Sequence, residues 1–227
     1  MPLPFPSYLA PHLANIKART PATQSIAFCP SNWNSSALST HWASLYKHAP
    51  HLAGGMISRT DVKNIGVLAN KGVLLWDTFF FAVMIWGFGM TGYGPWRTEQ
   101  MFKSKGFAKQ FTDIRDAIAK GKIIEAYKAA KIDQCGPAFF TKVFYFLGLV
   151  FGRTPLPLIL DSRVCASLLK CTDPTFKPVA TYFKPNASVR HPTGYDEFCN
   201  DLNSWATANG FLPDQLEIFL FCPPVGF

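Results

Sequence analysis

The sequence predicts an all-α fold, one body of two interleaved helical lobes, on three observations. Apolar residues recur at helical spacing in several segments, among them 36–48, 107–119 and 194–209. Residues that stop and start helices punctuate those segments: Gly121 after the second, Gly210 and Pro213 after the third. Stretches of two-residue alternation that would mark strands are few, and no internal repeat is visible.

Taken in order, residues 1–36 carry Pro2, Pro4, Pro6, Pro11, Pro21 and Pro30, which predicts a largely irregular arm draped over a single all-α domain of residues 37–227. Ser36–His48 reads as a helix with Leu38, Trp42 and Leu45 on one side. Thr60-Asp61 is placed to cap a short helix containing Val62, Ile65 and Leu68. Val73 to Met90 is apolar almost throughout and approaches the ~20 residues that cross a bilayer. Asp77 interrupts it early and Gly87 and Gly89 break it late, so a buried central helix over 73–86 fits better than a membrane span. From Trp86 through Tyr93 to Arg97 the chain reads as a glycine-rich loop with interleaved aromatics. That loop is either a close-packed turn between helices or the lining of a groove or pocket. Residues 107–119 and 122–130 predict two helices, and Ile132–Pro137 turns the chain into a third over Ala138–Phe151, so that 122–151 forms a helical hairpin. Beyond it come a helix from Ser162, a polar proline-containing stretch from Cys171 to Pro192, a helix over Gly194–Asn209, and a last helix over Pro213–Phe221.

Composition limits the classes of function. Hydrophobic residues make up 48% of the chain, so disorder throughout is excluded. Twenty-two Lys and Arg against 14 Asp and Glu leave a charge of +8, which suits a polyanion or an anionic membrane surface. The six cysteines form no Cys-x-x-Cys, and neither they nor the five histidines show metal-ligand spacing. The proline-rich start offers no basic region followed by an apolar run, so reduced cysteines in a cytoplasmic protein are expected.

The chemistry concentrates at two residues. Lys142 begins the apolar run Val143 to Phe151, and Asp161 follows nineteen residues later, after Leu156-Pro157-Leu158-Ile159-Leu160. Burial and the N-terminal end of a helix both favour a neutral, nucleophilic amine. A carboxylate emerging from a buried stretch can stabilise a cation that develops beside it. Taken singly, Lys142 also reads as a lysine snorkelling from an amphipathic helix, and Asp161 as the N-cap of the helix behind it.

Together, in this order and at this spacing, the pair resembles the catalytic core of the 8-oxoguanine DNA glycosylases of the helix-hairpin-helix superfamily. The likeness is best over residues 122–170. Phe140 and Ala138 stand where that family usually has glycines, with Gly136 further back. In this the hairpin is more similar to the divergent prokaryotic branch, which includes glycosylases that excise glucosylated hydroxymethylcytosine from phage DNA.

The resemblance implies a helix-hairpin-helix glycosylase fold acting on double-stranded DNA with a modified base, without a metal or organic cofactor, a membrane or an obligate protein partner. It implies Lys142 as nucleophile and Asp161 as its carboxylate. Gln215 and Phe219, four apart on one helix, would bind the flipped base, with Trp86 and Tyr93 enclosing it. Gly136, Thr141, Arg97 and Arg163 would contact DNA. The competing assignment is a helix-hairpin-helix module that binds DNA without cleaving anything.

Overall fold

In a computed structural model of the chain, residues 4–35, 37–170 and 191–224 are described. The fold is built around two helices that are apolar on nearly every side. One of them, α5 (Trp76–Phe88), follows α1 (Leu13–Lys17), α2 (Pro30–Trp33), α3 (Ser39–His48) and α4 (Arg59–Asn70) in the chain. The other, α9 (Pro137–Phe151), follows α6 (Gly94–Lys103), α7 (Phe107–Ala119) and α8 (Ile123–Ala129). Phe79 to Ile85 of α5 and Phe144, Phe146 and Leu147 of α9 are fully enclosed, as a helix without a polar face must be. Among the described residues no helix is long and apolar enough to cross a membrane.

Helix α4 packs on both central helices, and a glycine makes that possible. A Cβ at Gly66 would stand 2.5 Å from a Val150 methyl on α9 and 2.8 Å from the Phe79 ring on α5. The start of α4 is a capping box whose N-cap lies two residues before Thr60: the Ser58 hydroxyl accepts from the Asp61 amide, and the Asp61 carboxylate accepts from the Ser58 amide.

Helices α7 and α8 pack against each other, α7 also against α9, and α8 against α11 (Pro192–Asn209). Residues 130–136 join α8 to α9, the two helices expected over 122–151. Two more helices, α10 (Ser162–Lys170) and α12 (Pro213–Phe221), pack together at the C-terminal end. The predicted polar stretch with Cys171, Lys177, Lys184 and Arg190 lies outside the described residues. The five described cysteines are free thiols.

The N-terminal segment differs from the irregular arm its prolines suggest. It holds α1, α2, a 3-10 turn at Pro21–Thr23 and a strand, β1 (Ser25–Ala27), paired antiparallel with β2 (Met56–Ser58) in the register Ser25 to Ser58. Prolines open α2 and the 3-10 turns, where a missing N–H costs nothing. Leu9, Ile16, Phe28 and Trp33 sink into the common core. Helix α1 rests on α12.

Candidate active site

Lys142 is the sixth residue of α9, because the helix starts at Pro137; it stands in the second turn, not the first. Its side chain passes between Gly87 and Phe139: a Cβ at Gly87 would lie 3.2 Å from Lys142 Cδ, and Nζ stands 5.3 Å from the Phe139 ring centre. At its tip Nζ donates to the carbonyl of Ala138 at 2.6 Å and lies 3.9 Å from Asp161 Oδ2. Burial holds the amine below the usual lysine range; Asp161 opposes that most strongly, followed by Glu217. Desolvation, more than the helix end, therefore favours the neutral amine.

Asp161 does two things at once. Its Oδ1 accepts from the amides of Arg163 and Val164 at 3.0 and 3.1 Å, which caps α10. That anchorage leaves Oδ2 turned toward Lys142. The strand-like stretch before it is bolted down by Thr141, whose hydroxyl accepts from the Leu160 amide at 3.2 Å and donates to the Pro137 carbonyl at 2.7 Å. Thr141 is fully buried, so it positions Asp161 relative to α9; the expected DNA contact is corrected, since its side of α9 faces inward.

Both residues line an open cavity of about 830 Å³. One wall is Trp86, Gly87 and Phe88 at the end of α5, and another is Gln24 to Ala27 of the N-terminal segment. Met90, Thr91 and Tyr93 lie along it, and Glu217 and Phe221 of α12 complete the enclosure. The aromatic segment is thus shorter than a loop over 86–97: Trp86 and Phe88 are helical, α6 begins at Gly94, and residues 89–93 alone connect them. Gly89 is required there, for its φ is 54° and a Cβ would meet Ile26 at 2.7 Å.

The structure brings some predicted residues to this cavity and not others. Trp86 and Tyr93 line it, Trp86 buried with its indole N–H lacking a hydrogen-bond partner among the described residues, Tyr93 exposed. Arg163 is exposed at the cavity, its guanidinium 5.1 Å from the Phe221 ring. Gly136 is the N-cap residue of α9, with open space where a Cβ would stand. Arg97 is half-buried and braces the turn before α9. Its guanidinium lies against the rings of Phe88, Phe139 and Tyr93, and it donates to the carbonyl of Gln134.

Gln215 and Phe219 face away from the cavity. Gln215 Oε1 accepts from the Leu212 amide, and Nε2 donates to the carbonyls of Lys17 and Arg19, both at 2.8 Å. Phe219 is fully buried beside His12, with the Arg19 guanidinium 5.9 Å from its ring. They hold the N-terminal segment onto α12. The pair of this spacing that does face the cavity is Glu217 and Phe221.

Sequence reasoning missed Glu217 and its partner. Arg59, at the start of α4, meets Glu217 at 2.8 Å across 158 residues, with 2% and 1% of the side chains exposed. The guanidinium lies 4.6 Å from the Tyr145 ring centre and 5.2 Å from that of Trp86. Burial alone would lower Arg59, but Glu217 first and Tyr145 second more than restore it, and the group stays charged. Burial pushes Glu217 up to about 7 against the pull of Arg59. The signal available was a lone acid inside Leu216–Phe221, an apolar run where a charge requires a partner.

A buried lysine, a carboxylate aimed at it and a cavity at their side suit nucleophilic attack on an electrophilic carbon. The family described as "Putative 8-oxoguanine DNA glycosylase OGG-like protein" matches residues 19–221, nearly the whole chain. The chain belongs to that family. No curated protein and no solved structure matches it. This OGG-like family suggests DNA as the substrate and N-glycosidic bond cleavage as the class of reaction. The matched span includes Lys142, Asp161, Arg59, Glu217 and the N-terminal wall of the cavity.

Proposed function

We propose that this chain is a DNA glycosylase that extrudes a modified nucleotide from the duplex and cleaves its N-glycosidic bond, with Lys142 as nucleophile. The observation that carries the reading is Lys142 Nζ, buried and 3.9 Å from Asp161 Oδ2, on the wall of a cavity open to solvent. Extrusion is required because C1′ is out of reach in a stacked duplex. Once neutral, and released from the Ala138 carbonyl, the amine attacks C1′ as the glycosidic bond breaks. The bonding pair leaves with the base nitrogen, which takes up a proton. The adduct loses one amine proton, the sugar C1′–O bond breaks, and the ring oxygen is protonated, leaving a protonated imine that permits strand cleavage. Asp161 stabilises the cationic sugar and serves these proton transfers.

The modified base we favour is a glucosylated hydroxymethylcytosine of phage DNA, which makes the role antiviral. Two features support it. Ala138 and Phe140 depart from the glycines of the repair enzymes, and a cavity of about 830 Å³ has room for a base with an appended sugar, within the ~300–1,000 Å³ that takes a drug-sized ligand. The second reading is 8-oxoguanine repair, which the family's description favours. Incubation with duplexes carrying either base, followed by detection of free base and abasic sites, decides between them. Release of 8-oxoguanine with inertness toward glucosylated DNA reverses the preference. Binding of both without release of either leaves a non-catalytic module.

A further inference from the structure

Gln24 sits in the N-terminal wall of the cavity, half-buried, and is held at two points by one residue. The Arg59 amide donates to the Gln24 carbonyl at 3.1 Å, and Arg59 Nε donates to Gln24 Oε1 at 2.7 Å. The second bond fixes which way the amide lies. A guanidinium has donors only, so the atom facing Arg59 is the oxygen, and the NH2 group points elsewhere. Arg59 in turn cannot swing: Glu217 takes its Nη2 at 2.8 Å, and Tyr145 and Trp86 flank the plane. The neighbouring Thr60 hydroxyl donates to the Ala22 carbonyl at 2.8 Å and pins the chain just before Gln24.

A buried ion pair is a poor source of net stability, since desolvation of both charges offsets their attraction. The Arg59–Glu217 pair is better accounted for by what it orients. Resting on the glycosylase reading above, we propose that Gln24 reads the extruded base. Its Nε2 is a fixed donor for a carbonyl oxygen or ring nitrogen of that base, and Arg59 and Glu217 are positioning residues that hold the amide in this sense. A base that presents an amino group at that point would set donor against donor and be rejected.

The test is Gln24→Glu. It is nearly isosteric and keeps an oxygen toward Arg59, but turns the donor assigned to the base into an acceptor. Base release from duplexes carrying 8-oxoguanine or glucosylated hydroxymethylcytosine is expected to fall on the order of 10–100-fold, the scale of a polar group left without its partner. Borohydride trapping on a duplex that already carries an abasic site, where no base remains to be read, is expected to stay within about 2-fold. Arg59→Lys keeps a charge for Glu217 but frees Gln24, so its loss of base release should largely vanish in a Gln24→Ala background. Full base release by a folded Gln24→Glu protein overturns the assignment, as does an equal loss of base release and abasic trapping. A wild-type protein that neither releases base nor traps abasic DNA overturns instead the glycosylase reading on which it rests.

Discussion

Replacing Asp161 with asparagine separates the two tasks that the structure gives this residue. Oδ1 caps α10 through the amides of Arg163 and Val164, and an asparagine Oδ1 serves as well at an N-cap. Oδ2 stands 3.9 Å from Lys142 Nζ, and there the substitution removes a full charge. At an effective dielectric of ~20 the attraction between unit charges at that distance is roughly 4 kcal/mol, and solvent at the cavity mouth reduces it. A positive sugar bound at the cavity would sit in the same field. The chemical step is therefore expected to slow by ~100-fold or more, in the range found when one electrostatic stabiliser is removed.

The same change moves the pH profile in a defined direction. Burial lowers the Lys142 pKa and Asp161 is the main force raising it, so the asparagine variant holds the amine lower still. The limb of the rate profile that rises as lysine deprotonates should shift to lower pH, even as the maximum rate falls. Stability follows the depressed-pKa sign: the contribution of neutral Lys142 is present above the ordinary lysine range and lost as pH falls through the folded value. Near neutral pH the variant loses up to the roughly 4 kcal/mol of that attraction wherever Lys142 is charged, which lowers Tm, and the difference narrows in alkali. Single-turnover base release across pH and a melting curve are the measurements. A folded variant with full rate and an unmoved profile would leave Asp161 as a helix cap alone.

Three other outcomes are expected. Lys142→Ala should abolish borohydride trapping while leaving DNA affinity within a few-fold; undiminished base release by that protein removes the lysine mechanism. Gly66→Ala should cost about 1–3 kcal/mol, because its methyl would press into Val150 and Phe79 where α4 crosses α5 and α9; an unchanged Tm would mean that these helices are not so closely packed. DNA binding should weaken with salt at a log–log slope near ~−0.9 for each phosphate contacted, and a flat dependence would point the +8 charge at some other partner.

What the sequence disclosed and what it withheld divide along physical lines. Helices α5, α7, α9, α11 and α12 are long and apolar or end at glycines and prolines, so periodicity and breakers locate them within a few residues. Helix α6 stayed hidden because it opens with Gly94 and Pro95; these read as loop residues, although proline belongs in a first helical turn. The short elements before residue 35 have little intrinsic stability, and buried Ile16, Phe28 and Trp33 hold them through contacts distant in sequence. The Lys142–Asp161 pair was legible because both partners lie on one continuous stretch of chain.

The face of α12 that meets the cavity was not, and the helix itself shows why. A spacing of four identifies a stripe along a helix but not the direction in which that stripe faces. Successive residues turn by ~100°, so Gln215 and Phe219 lie nearly opposite Glu217 and Phe221, two residues further on. Only tertiary packing distinguishes the two stripes: the N-terminal segment covers the first, and the second is left to the cavity. The charge pattern held a partial answer. A glutamate set among Leu216, Ile218, Phe219 and Leu220 must be buried, and a buried carboxylate needs a cation. Pairing alone could not have named Arg59, 158 residues away, among 22 basic side chains. Once the fold joins them, the pair, with Gln24, falls on the cavity wall beside Lys142 and Asp161, so the charges that the sequence left without a role gather at one place.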